Sequence, residues 1–345
     1  MNRIFTIIAL FVVSLSLAQQ PYYDDVNLEL TGTALYDELQ DKISNASSTF
    51  DYADARTALL TTDSNPSDGS EVLLVYGYND TDGSCTTDRT RDKGSFGGLP
   101  CEYNREHVFA RSNSVPSMGD VSNSTTGIGA DPHNLRASDQ QMNGNKGNRK
   151  FASGSGNAGP VGSNWFPGTE WRGDVARMMM YMYTRYGNRC LPTHNGSGAL
   201  QSGTQMLQIY LQWNAEDPPT PYEDQRNEYL ESVYGNRNPF IDNPVLATII
   251  WGGPMAEDRW GLLDVASFEA SQVLVYPNPS FDHSVTISTT APVDSVIVYS
   301  LDGKEIRVQS TQNGGTIQLV NIPSGFYFVQ LQQDNLTLTK KVIIR

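Results

Sequence analysis

Residues 103–109 read Tyr-Asn-Arg-Glu-His-Val-Phe, and residues 131–135 read Asp-Pro-His-Asn-Leu. A third segment, Met-Asn-Gly-Asn-Lys-Gly-Asn-Arg-Lys-Phe, follows at 142–151. Together the segments supply an imidazole, a carboxylate and a neutral amide oxygen, which can hold one hard divalent cation and activate a water molecule. Two of the four histidines of the chain lie here, so we place the chemistry of the protein in this window.

The adjacent pair Glu106 and His107 sets a geometric condition on the first segment. Neighbouring residues of a regular strand point to opposite faces, so the strand must end, bulge or twist at this pair if both side chains are to reach one site. Pro132 suits the edge or the start of a second strand. Residues 139–148 predict a short helix that carries Asn143. The expected unit is therefore two strands and a helix around a single metal ion.

These residue types suit the hydrolysis of a phosphodiester bond. A histidine with an ordinary pKa of about 6.5, as expected for His107, can accept a proton from water at neutral pH. Mg²⁺ prefers oxygen ligands and keeps most of its water molecules, so two protein ligands are enough to bind it. Glu106 and Asn143 meet that requirement and leave His107 free to act as the base.

The net charge argues at first against a nucleic-acid substrate, because 38 acidic residues outnumber 24 basic ones and give a formal charge of −14. The charge is unevenly distributed along the chain. Residues 89–189 contain 13 Lys and Arg against 8 Asp and Glu, a local charge of +5. A basic surface around the site on an otherwise acidic body is compatible with a polyanionic substrate.

The N-terminus is typical of a signal peptide. A basic start is followed by an apolar run over residues 4–17, and Ser16 and Ala18 occupy the small-residue positions of a cleavage site after Ala18. The run is shorter than the roughly 20 residues that span a bilayer. No other stretch is long enough for a transmembrane segment, so we expect an exported, soluble protein.

The rest of the chain predicts an α+β fold in two domains. Apolar spacing predicts helices over 33–45, 168–186, 204–214, 221–234 and 243–251, a strand over 72–76 and a turn-rich stretch over 58–70. From Val273 onward, short alternating runs predict strands over 284–289, 294–299, 316–320, 326–333 and 336–344. We expect a mainly helical domain at 19–263, a linker at 264–272 and a small all-β sandwich at 273–345.

Three cysteines fit an exported protein without forming a disulfide framework. Cys85 and Cys101 flank a polar loop, and a bond between them would close about 16 residues and stabilise the fold by about 3 kcal/mol. Cys190 is then either buried and free or the true partner of one of the other two.

At these residues the chain resembles the bacterial endonuclease I family of ββα-metal, or His-Me finger, nucleases. The matching segments are 103–108, 131–135, 142–144, 147–148, 171–177, 184–186 and 235–242. The resemblance implies His107 as general base and Glu106 and Asn143 as ligands of one Mg²⁺, Mn²⁺ or Ca²⁺ ion. It also implies DNA, and often RNA, as substrates that are cut with little sequence preference to 5′-phosphate products.

One feature departs from that family. Some members place a transition-state arginine in a cysteine-bearing insertion between the two strands, but residues 112–130 contain neither arginine nor cysteine. The candidates for that role are Arg111, Arg136 and Arg149. The candidates for binding the substrate are Arg105, Lys146, Asn148 and Arg237.

The C-terminal part resembles a type IX secretion sorting domain. The resemblance rests on Val-Tyr-Pro-Asn-Pro at 275–279, on Gly-Phe-Tyr-Phe-Val at 325–329 and on the basic end of the chain. It implies the secretion machinery as a partner and a secreted or outer-membrane surface location. An ordinary adhesive sandwich is the alternative.

Two other functions fit parts of the sequence. A different hydrolase could bind Zn²⁺ through His107, Asp131 and His133, because the last two stand at i and i+2 and could share one strand face. A surface binding protein with an inactive enzyme domain is the second alternative. We rank a secreted, monomeric, metal-dependent endonuclease above both, with Asp131 and His133 in structural roles.

Overall fold

A computed structural model describes residues 20–263, 273–289, 293–313, 315–333 and 336–345. The chain divides into two compact units between residues 262 and 263, each with its own hydrophobic core. The described part of the first unit mixes helices and strands, whereas that of the second contains strands. The fold is thus an α+β mixture followed by an all-β region. The expected signal peptide and linker lie outside the described residues.

The elements of the first unit are numbered in chain order. Its helices are α1 Gly32–Ser44, α2 Tyr52–Thr62, α3 Gln140–Lys146, α4 Arg172–Tyr186, α5 Pro192–Asn195, α6 Gln208–Glu216, α7 Pro221–Tyr234, α8 Pro239–Asp242 and α9 Val245–Trp251. Its strands are β1 Ser64–Asn65, β2 Asp68–Leu73, β3 Thr90–Asp92, β4 Tyr103–His107, β5 Leu135–Asp139, β6 Gly159–Val161 and β7 Asn164–Phe166. None of the described helices is both long and apolar enough to cross a bilayer.

Helix α4 lies at the centre of the core of this unit. Its methionines Met178, Met179, Met180 and Met182 are all buried, so they form part of the core rather than a binding surface. The helix packs against α1 and α6. Methionine side chains are unbranched and fill irregular gaps well, so α4 can pack against several differently shaped neighbours.

Strands β4 and β5 pair antiparallel, with Glu106 opposite Arg136 and His107 opposite Leu135. Helix α3 follows β5 directly. The strand–strand–helix order agrees with the prediction from sequence, but β5 begins three residues later than Pro132. Pro132 instead opens a 3-10 turn at Pro132–Asn134, because its fixed φ and missing N–H suit the first position of a helical turn.

A disulfide joins Cys85 to Cys101, and Cys190 is a buried free thiol. The guanidinium of Arg91 donates to the backbone carbonyls of both bonded cysteines. The same group lies 3.3 Å from the carboxylate of Asp139. Asp139 caps α3, accepting from the backbone N–H of Gln141 at 2.8 Å and of Met142 at 3.0 Å. The disulfide loop is therefore tied to the start of α3.

The turn-rich prediction for 58–70 is wrong, because α2 occupies Tyr52–Thr62 and β2 begins at Asp68. Asp51 caps α2 in a reciprocal capping box with Asp54. The strand expected at 72–76 lies earlier, at Asp68–Leu73, although Leu74 and Val75 are buried as expected.

The second unit contains two four-stranded sheets in its described residues, ordered β11-β10-β14-β15 and β12-β13-β9-β8. These strands are β8 Leu274–Tyr276, β9 Val285–Ser288, β10 Ser295–Ser300, β11 Glu305–Ile306, β12 Gln309–Asn313, β13 Thr316–Val320, β14 Gly325–Gln333 and β15 Leu336–Ile344. Apolar residues of both sheets share one core, including Ile287, Leu319 and Val329. The five strands expected from the alternating runs are present, whereas the short β8, β11 and β12 were not expected.

Candidate active site

The Glu106–His107 pair lies at the end of β4, where the strand stops. Both side chains line one cavity of about 470 Å³, which meets the geometric condition set by their adjacency. The cavity is also lined from α2 by Tyr52, from the segment after β4 by Arg111, Gly119 and Asp120, and from α3 and its C-terminal end by Asn143 and Asn148.

His107 is held in one orientation. Its Nε2–H donates to the backbone carbonyl of Gly129 at 2.8 Å, and its ring stacks on that of Tyr52 with centroids 5.5 Å apart. Because a carbonyl can only accept, the neutral ring carries its proton on Nε2 and leaves a lone pair on Nδ1. No described residue donates to Nδ1. The ordinary pKa of about 6.5 expected for His107 is wrong for this site, because burial lowers the pKa of His107 to about 4. The ring is therefore neutral at physiological pH, with a lone pair on Nδ1.

Glu106 is buried with one oxygen occupied. Its Oε1 accepts from the Tyr76 hydroxyl at 3.3 Å and lies 3.3 Å from the ammonium of Lys146. Burial raises the pKa of Glu106, and the charge of Lys146 opposes that rise. The second oxygen, Oε2, receives no hydrogen bond from the described residues. The carboxylate thus keeps one oxygen for a further ligand in the cavity.

Asn143 lines the same cavity. Its Nδ2 donates to Oδ1 of Asn104 at 2.7 Å and to the backbone carbonyl of Arg105 at 3.5 Å. The carbonyl partner requires a donor, so the amide is oriented with Oδ1 left over. That oxygen accepts no hydrogen bond from the described residues.

The donor set fits one hard divalent cation. Glu106 Oε2 and Asn143 Oδ1 are a carboxylate and an amide oxygen, the ligands that such ions take together with water. Among the described residues, no group of three or more His, Cys, Asp or Glu side chains is placed to hold a metal ion. The residues that would hold an ion here are therefore the carboxylate–amide pair, with water completing the coordination.

The three candidate arginines lie in different places. Arg111 lines the cavity, donates to the Gly119 carbonyl at 2.5 Å and lies 3.6 Å from the carboxylate of Asp120. Arg149 is exposed and donates to the Asn145 carbonyl, without lining the cavity. Arg136 is fully buried and does not line the cavity.

Arg136 is bound within the protein interior. Its guanidinium lies 2.7 Å from Asp63 and 3.0 Å from Asp174, and donates to the Tyr222 hydroxyl at 2.8 Å. Three of its five N–H donors are bound to these groups, and the side chain is 1% exposed and does not line the cavity, so it cannot reach a substrate there. We therefore leave Arg136 out of the site.

Two of the four candidate substrate-binding residues line the cavity, Arg105 and Asn148. Lys146 is fully buried, where it neutralises Glu106 and donates to the Val108 carbonyl at 3.1 Å. Arg237 is buried against the carboxylate of Asp242 at 2.6 Å, and it also pairs with Glu231. Contrary to the expectation that they bind the substrate, Lys146 and Arg237 have structural roles, since their donors bind other groups of the protein.

The residues of the zinc alternative also have other partners. Asp131 accepts from Arg185 at 2.8 Å and from the Tyr186 hydroxyl at 2.7 Å. Nε2 of His133 faces the Asn236 carbonyl at 3.2 Å, and His107 Nε2 is bound to Gly129. These contacts place Asp131 and His133 in the packing between β5, α4 and α7, which is the structural role expected for them.

Three contributors to the site were not found from the sequence. Tyr52 supports the His107 ring, the Tyr76 hydroxyl binds Glu106, and Gly129 binds His107 through its backbone. A backbone carbonyl leaves no sequence signal. Tyr52 follows the capping residue Asp51, and recognition of that capping box would have placed an aromatic residue at the start of a helix.

Comparisons with known proteins find two protein families whose models match this chain. Residues 31–245 match the model of a protein family described as endonuclease I. Residues 274–345 match one described as a secretion system C-terminal sorting domain.

Three relatives are similar over different lengths. An extracellular ribonuclease of Bacillus amyloliquefaciens is 34% identical over 255 residues, which cover 70% of this chain and 81% of the relative. An extracellular ribonuclease of Bacillus subtilis (strain 168) is 35% identical over 260 residues, or 70% of this chain and 83% of the relative. An extracellular deoxyribonuclease of Aeromonas hydrophila is 27% identical over 123 residues, or 32% of this chain and 48% of the relative.

Proposed function

This chain belongs to the endonuclease I family and is a nuclease, and we propose that it hydrolyses both RNA and DNA with little sequence preference, leaving 5′-phosphate ends. Its C-terminal type IX sorting domain makes it a secreted or cell-surface enzyme. We further propose that residues 1–18 are a signal peptide removed on export, and that residues 19–263 form the nuclease domain.

The proposal rests on one observation. A neutral imidazole, fixed by a backbone carbonyl, shares a cavity with a carboxylate oxygen and an amide oxygen that have no hydrogen-bond donors among the described residues. We propose that β4, β5 and α3 form a ββα-metal motif in which Glu106 and Asn143 hold one Mg²⁺ or a similar ion. When bound, such an ion supplies positive charge to the phosphate and to the leaving 3′ oxygen.

The side chains of the cavity have distinct tasks in this mechanism. His107 Nδ1 accepts the proton of the attacking water, since its Nε2 is committed to Gly129. Arg111 donates to the phosphate oxygens that gain charge in the transition state. Arg105 and Asn148 bind the neighbouring part of the strand. Lys146 and Tyr76 hold Glu106 so that its second oxygen faces the cavity.

Because the nucleophile is water, the proposed reaction does not depend on whether the sugar is ribose or deoxyribose. The reaction does not use the 2′-hydroxyl, the group by which proteins distinguish RNA from DNA. The similarity to extracellular ribonucleases over most of their length, and to an extracellular deoxyribonuclease over a shorter stretch, supports both substrates.

The test uses purified protein with RNA and DNA of the same sequence, labelled at one end. We expect both to be cut in Mg²⁺, not in EDTA, and to carry 5′-phosphate ends. His107→Ala should lower kcat by about 10²–10⁴, whereas His194→Gln, at a histidine outside the cavity, should leave it unchanged. Cutting by His107→Ala at the wild-type rate would refute the assigned base, and 2′,3′-cyclic phosphate products from RNA would refute the water nucleophile.

A further inference from the structure

Five planar side chains stack in a row that begins in the catalytic cavity. The ring of His107 stacks on Tyr52 with an interplanar angle of 21°. The guanidinium of Arg105 lies 3.5 Å from the centre of the Tyr52 ring and 5.6 Å from that of Phe96. The guanidinium of Arg56 lies 4.0 Å from the centre of the Phe96 ring. We call this row, in the order His107, Tyr52, Arg105, Phe96 and Arg56, the stacked ladder.

The two arginines of the ladder carry charge that the protein does not neutralise. Neither Arg56 nor Arg105 has a carboxylate within ion-pair distance among the described residues, whereas the buried Arg136, Arg177 and Arg226 each have one. Arg105 donates to the Tyr52 carbonyl, and burial, together with repulsion from Arg56, lowers the pKa of Arg105. A partly buried guanidinium with one accepting partner keeps most of its five N–H donors for an anion.

The ladder leads outward from the cavity. Tyr52, Arg105 and His107 line the cavity, Phe96 is half-buried, and Arg56 is exposed on α2. Phe96 is held from one side by Tyr103, whose ring meets it edge-on at 5.3 Å. The row thus alternates aromatic faces with unpaired positive charges, and it has an open end. The aromatic rings hold the two guanidinium groups in place, and unpaired guanidinium groups in a row suit the successive phosphates of a nucleic-acid strand, since phosphates pair with arginine.

We propose that the stacked ladder is a binding track for the strand next to the scissile phosphate, with phosphates on Arg105 and Arg56, whose guanidinium groups are supported by the rings of Tyr52 and Phe96. This rests on the proposed function, because it assumes that His107 marks the scissile phosphate. Tyr52 is a positioning residue, because its ring supports both the catalytic base His107 and the guanidinium of Arg105. The ligand class is a single nucleic-acid strand that extends beyond the cleaved bond.

A purely structural role for Arg56 predicts something different. If Arg56 only covers the Phe96 ring, its removal should lower the thermal stability without changing how affinity depends on salt. A phosphate contact contributes to the salt dependence, since its formation releases a counterion from the nucleic acid. The salt slope of binding therefore separates the two roles.

The experiment measures binding of a fluorescent single-stranded DNA of about 12 nucleotides, within the site size of such surfaces, to the full mature chain in EDTA. For Arg56→Gln we expect the slope of log Kd against log salt to be smaller by about 0.7. Phe96→Leu, which keeps apolar volume against Tyr103 but removes the ring that supports Arg56, should weaken binding about threefold. Arg56→Lys, which keeps the charge, should retain most of the slope. Arg89→Gln, which removes an exposed arginine already paired with Glu170, should bind like the wild type.

Cleavage is measured in parallel on a trinucleotide and on the longer strand. Arg56→Gln should lower kcat/KM for the longer strand by a larger factor than for the trinucleotide. A wild-type salt slope in Arg56→Gln together with wild-type affinity in Phe96→Leu overturns the track. If the wild-type chain cleaves neither substrate, the proposed function is refuted. The binding measurements in EDTA do not depend on cleavage, so they still decide whether the stacked ladder binds a strand. Circular dichroism melting shows that each variant is folded.

Discussion

At the scale of single residues, some basic side chains in or near the cavity are neutralised by carboxylates of the protein and others are not. Lys146 on α3 and Arg136 on β5 are each fully buried against carboxylates. Arg111 lines the cavity and lies 3.6 Å from the carboxylate of a fully exposed Asp120. Of these three side chains, Arg111 is the one that is free to contact a phosphate, because its carboxylate partner is the most distant.

Arg111→Ala is therefore expected to lower kcat on DNA and RNA by about 10²–10³, the usual loss when one donor to a developing negative charge is removed. Arg149→Ala should have a much smaller effect, because Arg149 does not line the cavity. Steady-state kinetics on both variants give the comparison. Equal losses in the two variants would contradict the assignment of Arg111.

Lys146→Met should destabilise the nuclease unit by about 3–5 kcal/mol, because it leaves the carboxylate of Glu106 buried without its countercharge. Urea unfolding in the absence of divalent ions measures this loss. The double variant Lys146→Met with Glu106→Gln should recover much of the stability, since neither charge remains. If the double variant is as unstable as the single one, the lysine acts through packing and not through Glu106.

The residues of the site could be named from sequence only in part. Glu106, His107 and Asn143 stood out because the three segments carry the chemistry of a hydrolytic metal site. Arg111 could not be told from Arg136, because their burial depends on where Asp63 and Asp174 fall in the fold. Both carboxylates are distant in sequence, so only the tertiary structure brings them to Arg136.

At the scale of elements, the site depends on how α3 begins. Asp139 accepts from two backbone N–H groups of α3 and pairs with Arg91, which holds the disulfide loop. Asn143 lies one turn further along the same helix. A substitution that removes the cap should therefore also disturb the position of Asn143, the proposed metal ligand.

Asp139→Ala should lower the free energy of unfolding by about 1–2 kcal/mol through the lost cap, and raise the Mg²⁺ concentration needed for half-maximal cleavage. The same substitution at the cap of another helix, Asp51→Ala, removes a cap of equal kind from α2, which does not carry Asn143. A metal titration of both variants should shift more for Asp139→Ala. Equal titration curves for the two variants would show that the cap of α3 has no specific effect on metal binding.

His133 joins the 3-10 turn before β5 to α4 and α7, with its ring 4.5 Å from that of Tyr181. Burial lowers its pKa to about 3, against about 6.5 in an unfolded chain. The stability that comes from keeping this ring neutral is complete above about 6.5 and is lost as the pH falls from there towards the folded pKa, by about 1.4 kcal/mol per pH unit.

The pH dependence of unfolding should therefore be shallower in His133→Phe than in the wild type over the mildly acidic range. Urea unfolding at several pH values gives both slopes, and other titrating groups cancel in the difference. Parallel curves for the two proteins would mean that His133 is already protonated in the folded state.

Elements with a long apolar repeat, such as α1, α4 and α7, could be predicted because their buried faces follow the helical period. Helix α2 was missed because its buried face is made partly of Ala55, Ala58 and Thr62, which contribute little hydrophobic contrast. Strands β8, β11 and β12 are short, and β12 is exposed throughout, so pairing with neighbours rather than an apolar pattern defines them. Local pattern cannot reveal an element that only its neighbours stabilise.

At the scale of the whole molecule, the two units have separate cores. The site residues proposed here all belong to the first unit. A chain ended after Leu263 should therefore fold and cleave RNA and DNA with unchanged kcat/KM. Thermal melting and cleavage of the full and shortened chains make the comparison, and loss of activity in a folded, shortened chain would show that the second unit assists the reaction.

The burial of the third cysteine has a consequence for oxidative maturation. Thiol–disulfide exchange requires a thiolate, and burial raises the pKa of Cys190 to about 12, so this sulfur stays protonated and enclosed. Once folded, the chain holds no nucleophile that could attack its own Cys85–Cys101 bond and scramble it. A secreted or cell-surface enzyme thus keeps one disulfide pairing, because its third cysteine stays in the unreactive thiol form.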